Sequence, residues 1–257
     1  MIHIVKIGGN VIDSADNLSR FLDSFVLLPS PKVLVHGGGK LATRLCEQLG
    51  IETKMIDGRR ITDRQTLDVV TMVYAGLVNK QIVAALQARG CTAIGLSGAD
   101  ANLLPARRRP AEPIDYGFVG DIEQPKVNAT FLASLLRQGV TPVVCPLTHD
   151  QQGSMLNTNA DSIACAVAIA AAQADTAELT FCFEQPGVMR DIDDPTSLIA
   201  HIDIDSYRHL LADSVITKGM LPKLSACFRA IDSGVTTVRI KHADNLLNDI
   251  GTVISEK

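Results

Sequence analysis

The chain opens on a short apolar strand pattern closed by paired glycines, and the same device recurs after the next helix. Ile2, Ile4, Val5 and Ile7 form a β-rich run that Gly8-Gly9 stop, and Asn10 and Asp13-Ser14 signal a turn into a helix over residues 16–28. Pro29 and Pro31 end that helix. Lys32-Val-Leu-Val-His36 then reads as a second buried strand, closed by Gly37-Gly38-Gly39 and followed by a helix over 40–49. A strand–glycine–helix succession of this kind predicts α/β architecture with a largely parallel sheet. The two glycine turns then lie side by side at the carboxyl ends of their strands.

Such turns suit an anion. Paired glycines let backbone N–H groups approach a phosphate without Cβ interference. Three glycines at a helix N-terminus add the helix dipole. A plain tight turn explains either one taken alone. Neither Gly-x-x-x-x-Gly-Lys-Ser/Thr nor Gly-x-Gly-x-x-Gly occurs, so the common nucleotide motifs do not carry the assignment. Lys6 places a charge inside the first strand, which is costly unless paired. The alternative is a lysine at a sheet edge that snorkels to water.

Further along, residues 52–56 and 59–62 predict a hairpin turning at Asp57-Gly58, with Arg59 and Arg60 just past its tip. A long helical pattern covers 63–88, interrupted near Gly76. A strand over 92–97, an irregular or hairpin stretch rich in Pro and Gly over 100–127, a helix over 131–136 and a strand over 141–146 follow. Asn157, Asn159 and Asp161 alternate before the Ala-rich helix 162–172, where an N-cap explains any single one of them. Beyond Gln173 the pattern restarts, with strands over 179–183 and 236–240 and helices over 206–211 and 219–233. Two lobes are expected, 1–173 and 174–257.

The composition narrows the function classes. At 257 residues, 46% hydrophobic and 20% charged, the chain can bury a sizeable core. A net charge of −4 and a pI near 5.8 argue against a nucleic-acid or anionic-membrane surface. Arg107-Arg108-Arg109 is the only basic run, set in a loop between Pro105 and Pro110. Six scattered cysteines without a Cys-x-x-Cys pair read as free thiols of a reducing compartment. The first residues lack a signal-peptide pattern, and the apolar run Ile163–Ala172 falls short of the roughly 20 residues a bilayer needs. A cytoplasmic protein is expected. The histidines show no metal-ligand spacing.

Taken in order, Lys6-Ile-Gly-Gly9, His36-Gly-Gly-Gly39, Asn157-Thr-Asn-Ala-Asp161 and Gly219-Met-Leu-Pro-Lys223 resemble the amino acid kinase family. Gly58-Arg-Arg-Ile-Thr-Asp63 is similar to the members that phosphorylate N-acetylglutamate, the second step of arginine biosynthesis. The resemblance implies a three-layer αβα sandwich, with acylglutamate binding and dimerisation in 1–173 and ATP binding in 174–257. It implies transfer of the ATP γ-phosphoryl onto a carboxylate, with Mg²⁺ accompanying the nucleotide. Lys6 and Lys223 match the catalytic lysines, and Asp161 matches the aspartate that holds them. Gly8 and Gly9 match backbone donors to the nucleotide phosphates, and Gly37, Gly38, Arg60 and Asn157 match the acceptor's contacts.

Two departures bear on specificity. Phe183-Glu184-Gln185 replaces the family's Thr/Ser-Asp-Val, which touches the adenine and ribose contacts. Arg59 replaces an apolar residue, so an N-succinyl acceptor, with its extra carboxylate, is the alternative to the N-acetyl one. The resemblance also implies a homodimer without arginine feedback, because the chain starts directly at its first strand. Members acting on carbamate, aspartate or free glutamate share the glycine turns. A non-catalytic sensor on the same fold would not require Lys6, Asp161 and Lys223 together.

Overall fold

The computed structural model describes residues 1–194, 196–212 and 220–256. Gly219, the expected start of the last helix, lies outside them. One eight-stranded sheet organises the chain. Its order is β12 (His201–Ile202), β14 (Thr252–Ile254), β13 (Thr237–His242), β11 (Ala177–Phe183), β1 (Ile2–Ile7), β2 (Lys32–His36), β8 (Thr141–Val144) and β5 (Ala93–Leu96). Every pairing is parallel except β13 with β14. The two strands β12 and β14 at one end of the sheet are absent from the sequence expectation, since two or three residues are too few to show a period.

Alternation along the central strands sorts side chains to the two faces of the sheet. Ile2, Ile4, Val33 and Val35 join the buried cluster formed with α7 (Ala160–Ala172) and α9 (Leu221–Asp232). Val5, Ile7 and Leu34 join the opposite cluster, formed with α2 (Ala15–Leu27), α3 (Gly39–Gln48), α4 (Arg64–Thr71) and α5 (Asn79–Gln87). The result is the expected αβα sandwich. The line drawn between residues 173 and 174 falls inside this sheet, because β11 pairs with β1 along its length.

Some of the helices begin at a side-chain cap. Ser14 accepts from the Asn17 N–H, Asp63 from the Thr66 N–H, and Asn128 from the Phe131 N–H at the start of α6 (Ala129–Arg137). The expected 63–88 helix runs from Arg64 to Gln87, and its interruption is a π-helical segment, Met72–Val78, that contains Gly76. By length and composition this helix could span a bilayer, with a mean hydropathy of 1.5. It is longer than the Ile163–Ala172 run singled out above. Leu67, Val70, Val73, Val78, Ile82 and Leu86 bury it in the sheet's second cluster, so it is a core helix.

Three hairpins stand at the carboxyl ends of the strands. They are β3 (Met55–Ile56) with β4 (Arg59–Arg60), β6 (Ala106–Arg108) with β7 (Gly120–Ile122), and β9 (Leu147–His149) with β10 (Met155–Asn157). The first is shorter than expected but turns where the sequence says. Asp57 (φ 48°) and Gly58 (φ 72°) both take the left-handed conformation of a two-residue turn. All six cysteines are free.

Candidate active site

Lys6 is not at a sheet edge. It lies in β1, an interior strand, opposite Phe181 on one side and Val35 on the other. Sharing the face of Ile2 and Ile4, its side chain meets the helices α7 and α9 rather than water. There its Nζ lies 2.7 Å from Asp161 Oδ1. Lys223 Nζ, from α9, stands 3.8 Å from the other oxygen, Oδ2, and 4.8 Å from the centre of the Phe183 ring. One carboxylate thus bridges two ammonium groups delivered by different elements.

Asp161 owes its place to the turn before α7. Asn159 caps that helix, accepting from the N–H groups of Asp161 and Ser162. Asp161 therefore falls in the first turn, where the helix dipole favours a carboxylate. Burial by itself would push its pKa up, but the charges and hydrogen bonds of Lys6 and Lys223 outweigh it, and the net shift is downward. The residue stays ionised at any working pH.

The two glycine turns differ in form. Gly8 (φ −80°) caps a four-residue helix, α1 (Gly9–Ile12), in ordinary extended geometry. Gly38 takes φ 150°, and a Cβ there would come within 3.0 Å of the Tyr74 ring. Because β1 and β2 pair up to Ile7 opposite His36, the turns emerge next to each other. Lys40, just after the second turn, donates to the Asn10 side chain, just after the first.

A pocket of about 200 Å³ opens beside the second turn, walled by Gly37, Gly38, Arg59, Arg60, Tyr74 and Asn157 among others. Arg60 is only 6% exposed. It donates to the Gly39 carbonyl (3.0 Å), Thr43 Oγ1 (2.7 Å) and Thr53 Oγ1 (3.3 Å), which orient the guanidinium before any ligand arrives. Asn157 Nδ2 donates to Thr62 Oγ1 at 3.0 Å. His36, fully buried behind the turn, has its pKa pushed down by that burial to about 4.

Of the residues singled out from sequence, Gly37, Gly38, Arg60 and Asn157 thus share one pocket. Lys6, Asp161 and Lys223 share one cluster, joined to that pocket through Asn157 to Ala160. Gly8 and Gly9 stand at the end of β1 beyond Lys6 and line neither. Thr62, Tyr74 and Asn79 were not foreseen. The signal open to a sequence reader was a tyrosine and an asparagine inside the apolar pattern of the 63–88 helix.

A larger cavity of about 400 Å³ lies on the other side of Arg59, between Arg109, Asp121, Cys165 and Arg229. Asp121 is taken by Arg109 (2.5 Å). The Arg59 side chain has no hydrogen bond or ion pair among the described residues. Burial first, and then the neighbouring Arg109, lower its pKa. A third cleft, of about 340 Å³, runs along Gly187 to Ile192 and reaches Met220.

Comparison with known proteins agrees with this geometry. The profile of the amino acid kinase family matches residues 1–242. An acetylglutamate kinase of Phocaeicola vulgatus is 53% identical over 253 residues, covering 98% of each chain. The solved structure of smu.665 from Streptococcus mutans UA159 superposes with a TM-score of 0.79 at 27% identity, covering 100% of this chain and 99% of that one. A carbamate kinase from Giardia lamblia, bound to AMP-PNP, shares the fold with a TM-score of 0.71 at 13% identity, covering 100% and 98%.

Proposed function

The chain belongs to the amino acid kinase family, and from that premise we propose that it uses ATP to phosphorylate the side-chain carboxylate of N-acetyl-L-glutamate. The product would be the acyl phosphate of arginine biosynthesis. The observation that carries the reading is Asp161 with a lysine on each oxygen, at the rim of a pocket that holds a pre-oriented arginine.

Both reactants are anions, and phosphoryl transfer is chiefly positioning and charge neutralisation. Lys6 and Lys223 are the cations for the transferring group, and Gly8 and Gly9 supply backbone donors to the nucleotide phosphates. The acceptor carboxylate, with an unperturbed pKa of about 4.3, is already ionised at neutral pH. No general base is required, so Asp161 serves to hold the lysines. Arg60 and Asn157 would fix the acceptor's own carboxylate and amide, with the Gly37 and Gly38 N–H groups beside them. Residues 174–257 form the nucleotide side, where the cleft along Gly187–Ile192 offers Val188 and Met189 to the base.

Mg²⁺ would ride on the nucleotide phosphates, since Asp161, the carboxylate beside the lysines, is committed to both of them. Met72 (54% exposed) and Leu77 (48% exposed) give the 64–87 helix an apolar outer side, which suits the proposed homodimer. Six free thiols fit the cytoplasm, where ATP is available.

The test is acyl-phosphate formation, trapped with hydroxylamine, with ATP, Mg²⁺ and a panel of N-acetylglutamate, N-succinylglutamate, glutamate, aspartate and carbamate. Turnover of an N-acylglutamate, lost in Lys6→Ala, is the expected result. No turnover of any acceptor by folded, ATP-binding protein would replace the reading with a sensor.

Arg59 favours a second acceptor. It faces both the acceptor pocket and the larger cavity beside Arg109 and Arg229, without a carboxylate of its own. An N-succinyl group would bring one. If Arg59→Leu discriminates among acyl groups as the unaltered protein does, that second reading falls.

A further inference from the structure

The π-helical segment Met72–Val78 is the one irregular stretch in the longest helix, and two of the three unforeseen residues, Tyr74 and Asn79, are tied to it. A π turn adds a residue to the helical ladder, which rotates everything after it by about 100° relative to an unbroken α-helix. Such turns cost hydrogen-bond geometry and collect at functional sites. What this one does can be read from its contacts.

Tyr74, inside the segment, lies against Gly38, and Val78 comes within 3.6 Å of where a Gly38 Cβ would stand. The Tyr74 side chain also lines the pocket beside Arg60, whose charge offsets part of the burial that raises the Tyr74 pKa. So one side chain packs on the glycine wall of the acceptor pocket and lines it together with the arginine.

Asn79 is the first residue after the segment and is 1% exposed. Its Nδ2 donates to the Val143 carbonyl (2.9 Å) and lies 3.1 Å from His36 Nε2. Lys80 Nζ donates to its Oδ1 at 3.2 Å, which fixes the amide's orientation. Nδ2 can only donate, so His36 Nε2 must accept and the ring proton sits on Nδ1. From there it donates to the Gly37 carbonyl at 2.7 Å. Gly95, inside β5, leaves the space: a Cβ at that position would collide with the Asn79 side chain.

We infer that Tyr74 and Asn79 are positioning residues of the acceptor pocket, Tyr74 acting through Arg60 and Asn79 through the tautomer of His36 that anchors the Gly37 carbonyl. The inference rests on the acceptor reading given above for that pocket. The π turn is what brings both side chains onto the glycine turn. In an unbroken helix Asn79 would face elsewhere, and the His36 ring would have no fixed proton.

Three measurements test it. Wild-type turnover of N-acetylglutamate or N-succinylglutamate comes first, and a silent wild type sinks the acceptor reading by itself. In Tyr74→Phe the acceptor KM should rise about tenfold, the loss of a polar neighbour of the Arg60 charge, while kcat and the KM for ATP stay within twofold. Combined with Arg60→Gln it should add nothing, because the two act as one. Additive losses, or an unchanged KM, overturn the Tyr74 arm.

For Asn79, ¹⁵N spectra of the wild-type His36 ring should show the proton on Nδ1 and a bare Nε2. Asn79→Asp, which offers acceptors, should protonate Nε2 and lower kcat at least tenfold. A wild-type ring carrying its proton on Nε2 overturns this arm whether or not the variant folds. A folded Asn79→Asp with wild-type kcat does the same.

Discussion

The turns after β1 and β2 are the same device in sequence, yet they depend on their glycines for opposite reasons. At Gly8 a Cβ would find its nearest heavy atom 3.7 Å away, and at Gly9 3.6 Å, both ordinary contacts, and Gly8 has an unremarkable φ of −80°. Nothing in the protein itself forbids alanine there. Gly38 is the reverse case. Its φ of 150° is a region other residues rarely enter, and its missing Cβ is what lets the Tyr74 ring close on the turn. The first turn keeps space that the protein leaves unused, which is what a ligand needs. The second spends its freedom on packing, and so holds a pocket wall in one shape.

The contrast breaks first at the charges each turn serves. Lys6→Ala removes one of two cations from the transferring group and should cut kcat by about 10³-fold in protein that still unfolds cooperatively, measured by coupled ADP release beside thermal unfolding. A variant that keeps a tenth of the activity would remove Lys6 from the chemistry. Arg60→Gln should raise the acceptor KM by about 10²-fold and leave the KM for ATP alone, since a charged, nearly buried donor to a carboxylate is lost. An equal rise in both KM values would mean that the pocket is not the acceptor's.

Alanine in each turn sharpens the comparison further. Gly38→Ala should cost about 1–3 kcal/mol of stability in denaturant unfolding, from backbone strain and the Tyr74 contact. Gly9→Ala should leave that stability unchanged and raise the KM for ATP about tenfold. Reversed results would exchange the roles of the two turns. The smallest effect concerns acid. The Asp161 pKa is depressed below its ordinary 3.8, so ionised Asp161 stabilises the fold above that pH, and the benefit is lost as pH falls through the depressed folded-state value. The stability gap between wild type and Asp161→Asn should therefore be flat near neutrality and narrow only below about pH 3.8. A gap that narrows near pH 6 would assign the effect to another group.

Much of this was legible in the sequence because it is local. The β1 and β2 runs, their glycines, the Asp57-Gly58 turn and the Asn159 cap are each specified within a few residues, where period, φ preference and side-chain reach decide. The ordered motifs placed Lys6, Arg60, Asn157, Asp161 and Lys223 in one family pattern, and alternation along β1 sends Lys6 to the side of α7. The limits were equally physical. Two- and three-residue strands such as β12 and β14 carry no period, and the two residues that Asn79 joins, His36 and Val143, lie 43 and 64 positions from it.

The chain by itself therefore determined the parallel α/β class, the two glycine turns and the identity of the charged groups. Only the tertiary structure decided which of those groups meet, because sheet order and helix packing bring distant residues within hydrogen-bonding reach. It placed Asp161 between lysines from β1 and α9, set a π turn against Gly38, and left Arg59 facing two cavities without a side-chain ion pair. Pairing energies between residues so far apart in the chain are settled only once the core between them has closed.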